Sequence, residues 1–132
     1  MMNNEKFIVL LVNDNSFANI GVKTLFERIG CTVETVPSRK IIDILAGRRI
    51  DLILLDVDSI EEKAVDLVRM VRHSDRSTPI VTLAATYNPH GYDIEIDLRL
   101  AGVLACRGKP LTEEEAGWLV DSAKSYSRNA AV

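Results

Sequence analysis

The chain has 132 residues, enough for one domain with a substantial core and too few for two. It is 47% apolar and 27% charged, an ordinary globular balance, and a net charge of −3 without a Lys/Arg stripe argues against nucleic acid as a partner. The longest early apolar run, Phe7 to Val12, is too short for a signal core or a membrane span, so no membrane partner is expected. Cys31 and Cys106 have no metal-type spacing and read as buried thiols of a reducing, cytoplasmic setting.

In chain order, "FIVLLV" is a continuous apolar run of strand length, the pattern of a strand buried on both faces. Ala18, Val22, Leu25, Phe26 and Ile29 then follow helical spacing, and Gly30 stops that helix. "CTVETV" alternates as a half-buried strand. Pro37-Ser38 opens a helix carrying Ile41, Ile42 and Leu45, closed by Gly47. "DLILLDV" is a second apolar run, and Ala64, Leu67, Val68 and Val71 share one face of the helix after it. "PIVTLAA" is the fourth strand and "AGVLAC" the fifth. Thr112 and Glu115 form the two halves of a capping box, and the helix they start turns Ala116, Leu119, Val120 and Ala123 inward. "YDIEIDLRL" alternates like a strand, yet a short or irregular helix is predicted there. The polar tail "SYSRNAAV" is expected to fray or to act as a linker.

Five β-α units with short connections predict an α/β fold: a five-stranded parallel sheet with helices on both faces. Such sheets place function beyond the carboxyl ends of their strands. The residues just there are Asn13 and Asp14, Asp56, Ala84 and Ala85, and Lys109. Neighbouring strands lie ~4.8 Å apart, so Asp14 and Asp56 could share a cation if their strands are adjacent. A carboxylate beside a divalent ion can attack phosphorus, and an ammonium such as Lys109 can neutralise the phosphoryl oxygens. Each acid alone could equally cap a helix or turn.

On "LLVNDN", "RIGCTVETV", "DLILLDVD", "STPIVTLAA" and "AG…GKPLTEEE", the chain from about Phe7 to Ala123 resembles the receiver domains of two-component signalling, most closely those of hybrid histidine kinases. The resemblance implies a flavodoxin-like, doubly wound sheet of order 2-1-3-4-5 over residues 7–125, with tails at 1–6 and 126–132. It implies a signalling module rather than an enzyme, cytoplasmic, with Asp56 accepting a phosphoryl group from a histidine kinase or phosphotransfer protein. Mg²⁺ would be held by Asp14, Asp56 and the backbone carbonyl of Asp58, with Asn13 touching it only through water. Lys109, joined to Pro110 by a cis bond, would contact the phosphoryl group. Other proteins would dock on the fourth helix, strand five and the fifth helix. Read without the resemblance, Asp58 is a solvated loop acid.

The departures from the family are specific. Asn13 replaces the first acid, Ala84 the hydroxyl residue after strand four, and Cys106 the aromatic residue of strand five. "SIEEKA" replaces the usual loop after the acceptor, and the fourth connection is a few residues longer. The hydroxyl contact alone is worth ~1.5–3 kcal/mol, against the ~5.5 kcal/mol that carries a two-state switch from 1:99 to 99:1. Weak Mg²⁺ binding and impaired switching are therefore expected. A second reading is a pseudo-receiver, a constitutive docking module that is never phosphorylated. A third takes "LLDVDS" as a haloacid-dehalogenase-like phosphatase motif, with Asp56 as nucleophile and Asp58 as general acid, although two β-α units precede it. No Gly-rich loop after strand one supports dinucleotide binding. His73 and His90 read as solvated loop residues. Trp118, off the inner face of its helix, is either a contact site or packed against a neighbouring strand.

Overall fold

A computed structural model describes residues 6–15, 17–61, 63–88 and 93–130, with side chains as far as Tyr126. The elements alternate throughout. They are β1 (Ile8–Val12), α1 (Ile20–Arg28), β2 (Thr32–Val36), α2 (Ile41–Gly47), β3 (Leu52–Asp56), α3 (Ala64–Ser74), β4 (Ile80–Ala84), α4 (Glu95–Ala101), β5 (Ala105–Gly108) and α5 (Glu113–Ala130). Single 3₁₀ turns, Ser38–Lys40 and Val57–Ser59, lead into α2 and follow β3. The five strands are all parallel in the order β2-β1-β3-β4-β5, the flavodoxin-like order expected.

The apolar runs explain why three strands are central. Successive side chains of a strand face opposite ways, so a strand covered on both faces needs apolar residues at every position. Val9 and Leu11 of β1 join Leu52 and Leu54 of β3 in one core with Phe26 of α1 and Ala116, Leu119 and Ala123 of α5. Leu10 and Val12 join Ile53 and Leu55 in the other, beneath Ile41, Leu67, Val68, Val71 and Leu98 of α2, α3 and α4. β2, with Thr32 and Thr35 exposed, is an edge. Gly30, at φ +100°, takes the chain out of α1, and the N–H of Cys31 reaches back to the carbonyl of Phe26. The capping box forms as expected. Glu115 N–H donates to Thr112 Oγ1 at 3.1 Å, and Thr112 N–H donates to Glu115 Oε1 at 3.0 Å.

Four expectations are corrected. The run "AGVLAC" is not one strand. Ala101 ends α4, Gly102 at φ +119° caps it, and β5 begins only at Ala105. An L-residue strains at that φ, so the glycine divides the run between a helix end and a strand. The tail does not start at 126, because α5 continues through Ala130. Ser38 opens a 3₁₀ turn ahead of α2 rather than the helix itself. His73, exposed as expected, lies in the last turn of α3 and not in a loop. The "YDIEIDLRL" segment does hold a short helix, seven residues of α4, while His90 and the middle of that connection lie outside the described residues.

Candidate functional site

The register brings the strand ends into one rim. Val12 is level with Leu55, Asp56 with Leu83, and Ala84 with Gly108. Asp56 is the last residue of β3 and is fully buried. Its Oδ1 accepts from Lys109 Nζ at 2.6 Å and from the N–H of Asp58 at 3.1 Å. Its Oδ2 accepts from the side-chain amide of Asn19. Burial pushes the Asp56 carboxyl upward. The Lys109 contact, Asn19 and Ser59 outweigh it and hold the group below the ordinary carboxylate value. Lys109 follows β5 directly, donates its N–H to Ala84 O at 3.1 Å, and is joined to Pro110 by a cis bond.

Asn19 was not singled out in the sequence. It sits at the entrance of α1 with φ 67° and ψ 23°, in the left-handed region that asparagine tolerates better than most residues. Its side chain makes no capping bond and reaches across to Asp56 instead. The only sequence signal was the cluster of three asparagines around Asp14, and that cluster has no fixed meaning by itself.

Asp14 is brought to the rim but turned to other partners. Its Oδ1 accepts from the N–H of Ser38 at 2.7 Å, and its Oδ2 from Ser38 Oγ and the N–H of Glu61, both at 2.8 Å. Burial raises its pKa. The bonds from Glu61 and Ser38, with the charge of Arg39, bring it below the ordinary value. Asp14 therefore ties the connections after β2 and β3 to the end of β1. Asn13 is buried, donates its N–H to Val36 O at 3.1 Å, and uses Nδ2 to hold the carbonyl of Ala18 at 3.2 Å.

Asp58 is exposed in the turn after β3, as its solvated reading expects, but its carboxylate is also engaged by the protein. Its Oδ2 accepts from the N–H of Ala85 at 2.7 Å and lies 3.2 Å from Lys109 Nζ. One carboxylate thus clamps the end of β4 to the turn after β3. Ala84 is fully buried and brings no hydroxyl.

The ring absent at Cys106 is supplied from elsewhere. Tyr87, in the connection after β4, packs with Cys106 into the core face under α3 and α4. Its hydroxyl donates to Arg107 O at 2.8 Å and lies 2.9 Å from Thr82 Oγ1. A phenol has one proton, and a carbonyl can only accept, so Thr82 donates to Tyr87. Burial raises the pKa of Tyr87 and keeps it a neutral phenol. Beyond β5, the Arg107 guanidinium lies 4.5 Å from the ring centroid of Trp118, which is half exposed. Trp118 is thus packed on strand five by one face, as the second of its two readings expects, with the rest open.

No protein-family model matches the chain, and no curated protein matches it. Solved structures do match it over nearly their whole length. A response regulator from Thermotoga maritima is 23% identical, with a TM-score of 0.72 over 94% of this chain and 99% of that one. The signal receiver domain of a putative LuxO repressor protein from Vibrio parahaemolyticus is 21% identical, with a TM-score of 0.79 over 96% and 97%. A CheY-like receiver domain protein from Methanospirillum hungatei JF-1, 13% identical, has a TM-score of 0.79 over 95% and 99%.

The chain has the response-regulator receiver fold. At these identities the likeness is one of architecture, and the chemistry of the rim has to be argued from the residues. Mg²⁺ does not fit them as they are arranged. Such an ion takes carboxylate oxygens with free lone pairs facing a common point. Asp56 gives its oxygens to an ammonium, an amide and an N–H, and Asp14 has turned to Ser38 and Glu61. Among the described residues, no three acidic, histidine or cysteine side chains gather as a ligand set. In this receiver fold, the carboxylates at the strand ends are engaged by the protein's own donors. Among the described residues, no helix is long and apolar enough to cross a membrane.

Proposed function

We propose that this domain is a pseudo-receiver, a protein-docking module that keeps the receiver fold and works without phosphorylation. The observation that carries this reading is the state of Asp56. It is fully buried, with both carboxylate oxygens held by Lys109, Asn19 and the N–H of Asp58. An incoming phosphoryl group would have to displace these contacts before reaching the nucleophile. The docking surface is α4, β5 and α5, where Ile96, Leu100 and Trp118 expose large apolar side chains. Large apolar side chains left exposed on these elements favour a protein contact. The domain is then a signalling module rather than an enzyme, and its two free cysteines suit a reducing, cytoplasmic setting. A phosphatase reading would need Asp58 as a free general acid, and its carboxylate is engaged with Ala85 and Lys109.

A second reading rests on one observation. Asp56 is ionised and faces an ammonium, the pairing that phosphoryl acceptance from a histidine kinase or phosphotransfer protein would use. One experiment separates the two. The protein is incubated with acetyl phosphate and with a phosphohistidine donor, with and without Mg²⁺, and its intact mass is followed. The docking reading expects no adduct on wild type under any condition. An adduct on wild type that disappears in Asp56→Asn would overturn it and establish the acceptor.

A further inference from the structure

The end of the domain opposite Asp56 has a different electrostatic character. α3 and α4 run back toward the starts of β4 and β5, so Ser74 and Ala101 lie at the rim where those strands begin. A cleft of about 530 Å³ opens there, lined by Arg69, Arg72, His73 and Arg76, with Leu100 and Tyr126 on its apolar side. In a chain of net charge −3, three guanidiniums around one cleft are a local excess of the opposite sign.

Arg72 is fixed in place. Its Nε donates to Gly102 O and its Nη1 to Asp75 O, both at 3.0 Å, while Nη2 is shielded from solvent without a partner. Gly102 makes this possible, since a Cβ there would stand 2.9 Å from Arg72 Nε. Asp75, whose charge acts on Arg72, spends its carboxylate on the N–H groups of Ser77 and Thr78 and the hydroxyl of Thr78. Arg69 has only Asp66, 3.9 Å away, and both side chains are mostly exposed. Neither His73 nor Arg76 has a side-chain partner among the described residues. The helix dipole favours cations in the last turn of α3, which accounts for Arg72 and His73. It does not account for Arg76, which lies beyond the helix and turns to the same cleft.

We propose that this cleft binds a small ligand carrying at least two linked phosphoryl groups. Guanidinium groups match phosphate oxygens in paired hydrogen bonds, which the exposed Arg69 and Arg76 can offer, one to each of two linked phosphoryl groups. Arg72, its donors spent or shielded, adds charge alone. The cleft is shallow and open to solvent, so the charged groups at its rim would carry the recognition. Leu100 and Tyr126 leave room for an organic part of the ligand. The proposal is independent of what happens at Asp56, because the two sites lie on opposite rims.

The test is an NMR titration of the intact protein at about 0.15 M salt, where loose surface attraction is screened. The probes are inorganic pyrophosphate, adenosine diphosphate and hexaglutamate. Saturable amide shifts at Gly102, Arg76 and Tyr126 with pyrophosphate or the nucleotide are expected. Arg69→Gln combined with Arg76→Gln should weaken that binding at least about tenfold, through the loss of two charge-assisted contacts. Both positions are exposed, so Tm should stay unchanged. Tighter binding of the nucleotide than of pyrophosphate assigns the apolar wall to an organic moiety, and equal binding assigns the site to the phosphoryl groups alone. The proposal is overturned by an absence of saturable shifts with both phosphorylated probes. It is also overturned by unchanged affinity in the double variant, or by hexaglutamate binding as tightly as pyrophosphate.

Discussion

The two rims of the sheet handle charge in opposite ways. Where the strands end, three acids are answered by the chain itself: Asp14 by Ser38 and the Glu61 N–H, Asp56 by Lys109 and Asn19, Asp58 by Ala85 and Lys109. Where β4 and β5 begin, Arg72 is held by the carbonyls of Gly102 and Asp75, while Arg69 and Arg76 stand exposed beside it with only Asp66, 3.9 Å from Arg69, as a charged partner among the described residues. A closed network holds a shape, whereas uncompensated charge around a cleft invites a ligand. The rim that the fold leads one to inspect first is thus the more self-sufficient of the two.

The sharpest way to break this contrast is to remove the cation paired with Asp56. Lys109→Met leaves the fully buried Asp56 without its ammonium, and breaking such a pair costs about 2–4 kcal/mol, given that Lys109 is itself partly exposed. Denaturant unfolding reads the loss. Asp56→Asn in the same chain should recover most of it, because no buried charge then remains. If Lys109→Met is as stable as wild type, the rim is not an electrostatic network and the contrast fails.

Asp14 comes next. Asp14→Ala removes three hydrogen bonds to one carboxylate and should cost about 1.5–3 kcal/mol at neutral pH. Both Asp14 and Asp56 titrate below the ordinary carboxylate value of 3.8 when folded. The stability they contribute is therefore complete above about pH 4 and is lost as pH falls from there through their folded values. Unfolding measured from pH 7 down to pH 2 should show that loss, with a shallower acid limb in Asp14→Ala. An acid limb of equal slope in the two proteins would remove Asp14 from the account.

These two residues also mark what could be read in the sequence. The five β-α units, the central strands and the positions of Asp14, Asp56 and Lys109 at strand ends were legible, because burial on both faces and strand-end placement follow from local apolar runs. The direction in which Asp14 points was not. Its donors, Ser38 and Glu61, come from two other connections and are 24 and 47 residues away in the chain. Asn19 was hidden for a related reason, since its reach to Asp56 depends on a left-handed backbone conformation at one residue. Tyr87 stands in the long fourth connection, ahead of the stretch whose pattern fitted strand and helix alike. Its inward position depends on Thr82 and on a backbone carbonyl, which no periodicity signals.

Tyr87 gives the third test. Tyr87→Phe keeps the ring but leaves the Arg107 carbonyl and the Thr82 hydroxyl without their bridge, at a cost of about 1–2 kcal/mol. Hydrogen exchange should rise at Ile94, whose N–H bonds the Tyr87 carbonyl at 2.9 Å, and along β5. Acceleration confined to the Asp56 rim, with β5 unchanged, would mean that the bridge does not hold that edge of the sheet.

The smallest effect is expected at Asp58, and it separates charge from shape at the closed rim. Asp58→Asn keeps an oxygen that can accept from the N–H of Ala85 but loses the charge facing Lys109 across 3.2 Å. The Asp58 side chain is 37% exposed, and solvent screens such a pair, so the cost should be below about 1 kcal/mol. Asp58→Ala removes the acceptor as well and frees the end of β4. Exchange at the Ala85 amide should therefore stay near wild type in Asp58→Asn and accelerate clearly in Asp58→Ala. That ordering would assign Asp58 to holding the β4 end by its hydrogen bond, with Lys109 belonging in energetic terms to Asp56. If Asp58→Asn accelerates exchange as much as Asp58→Ala, charge is what holds β4. Lys109 would then be shared between two acids, and the Lys109→Met variant should release Ala85 by the same amount.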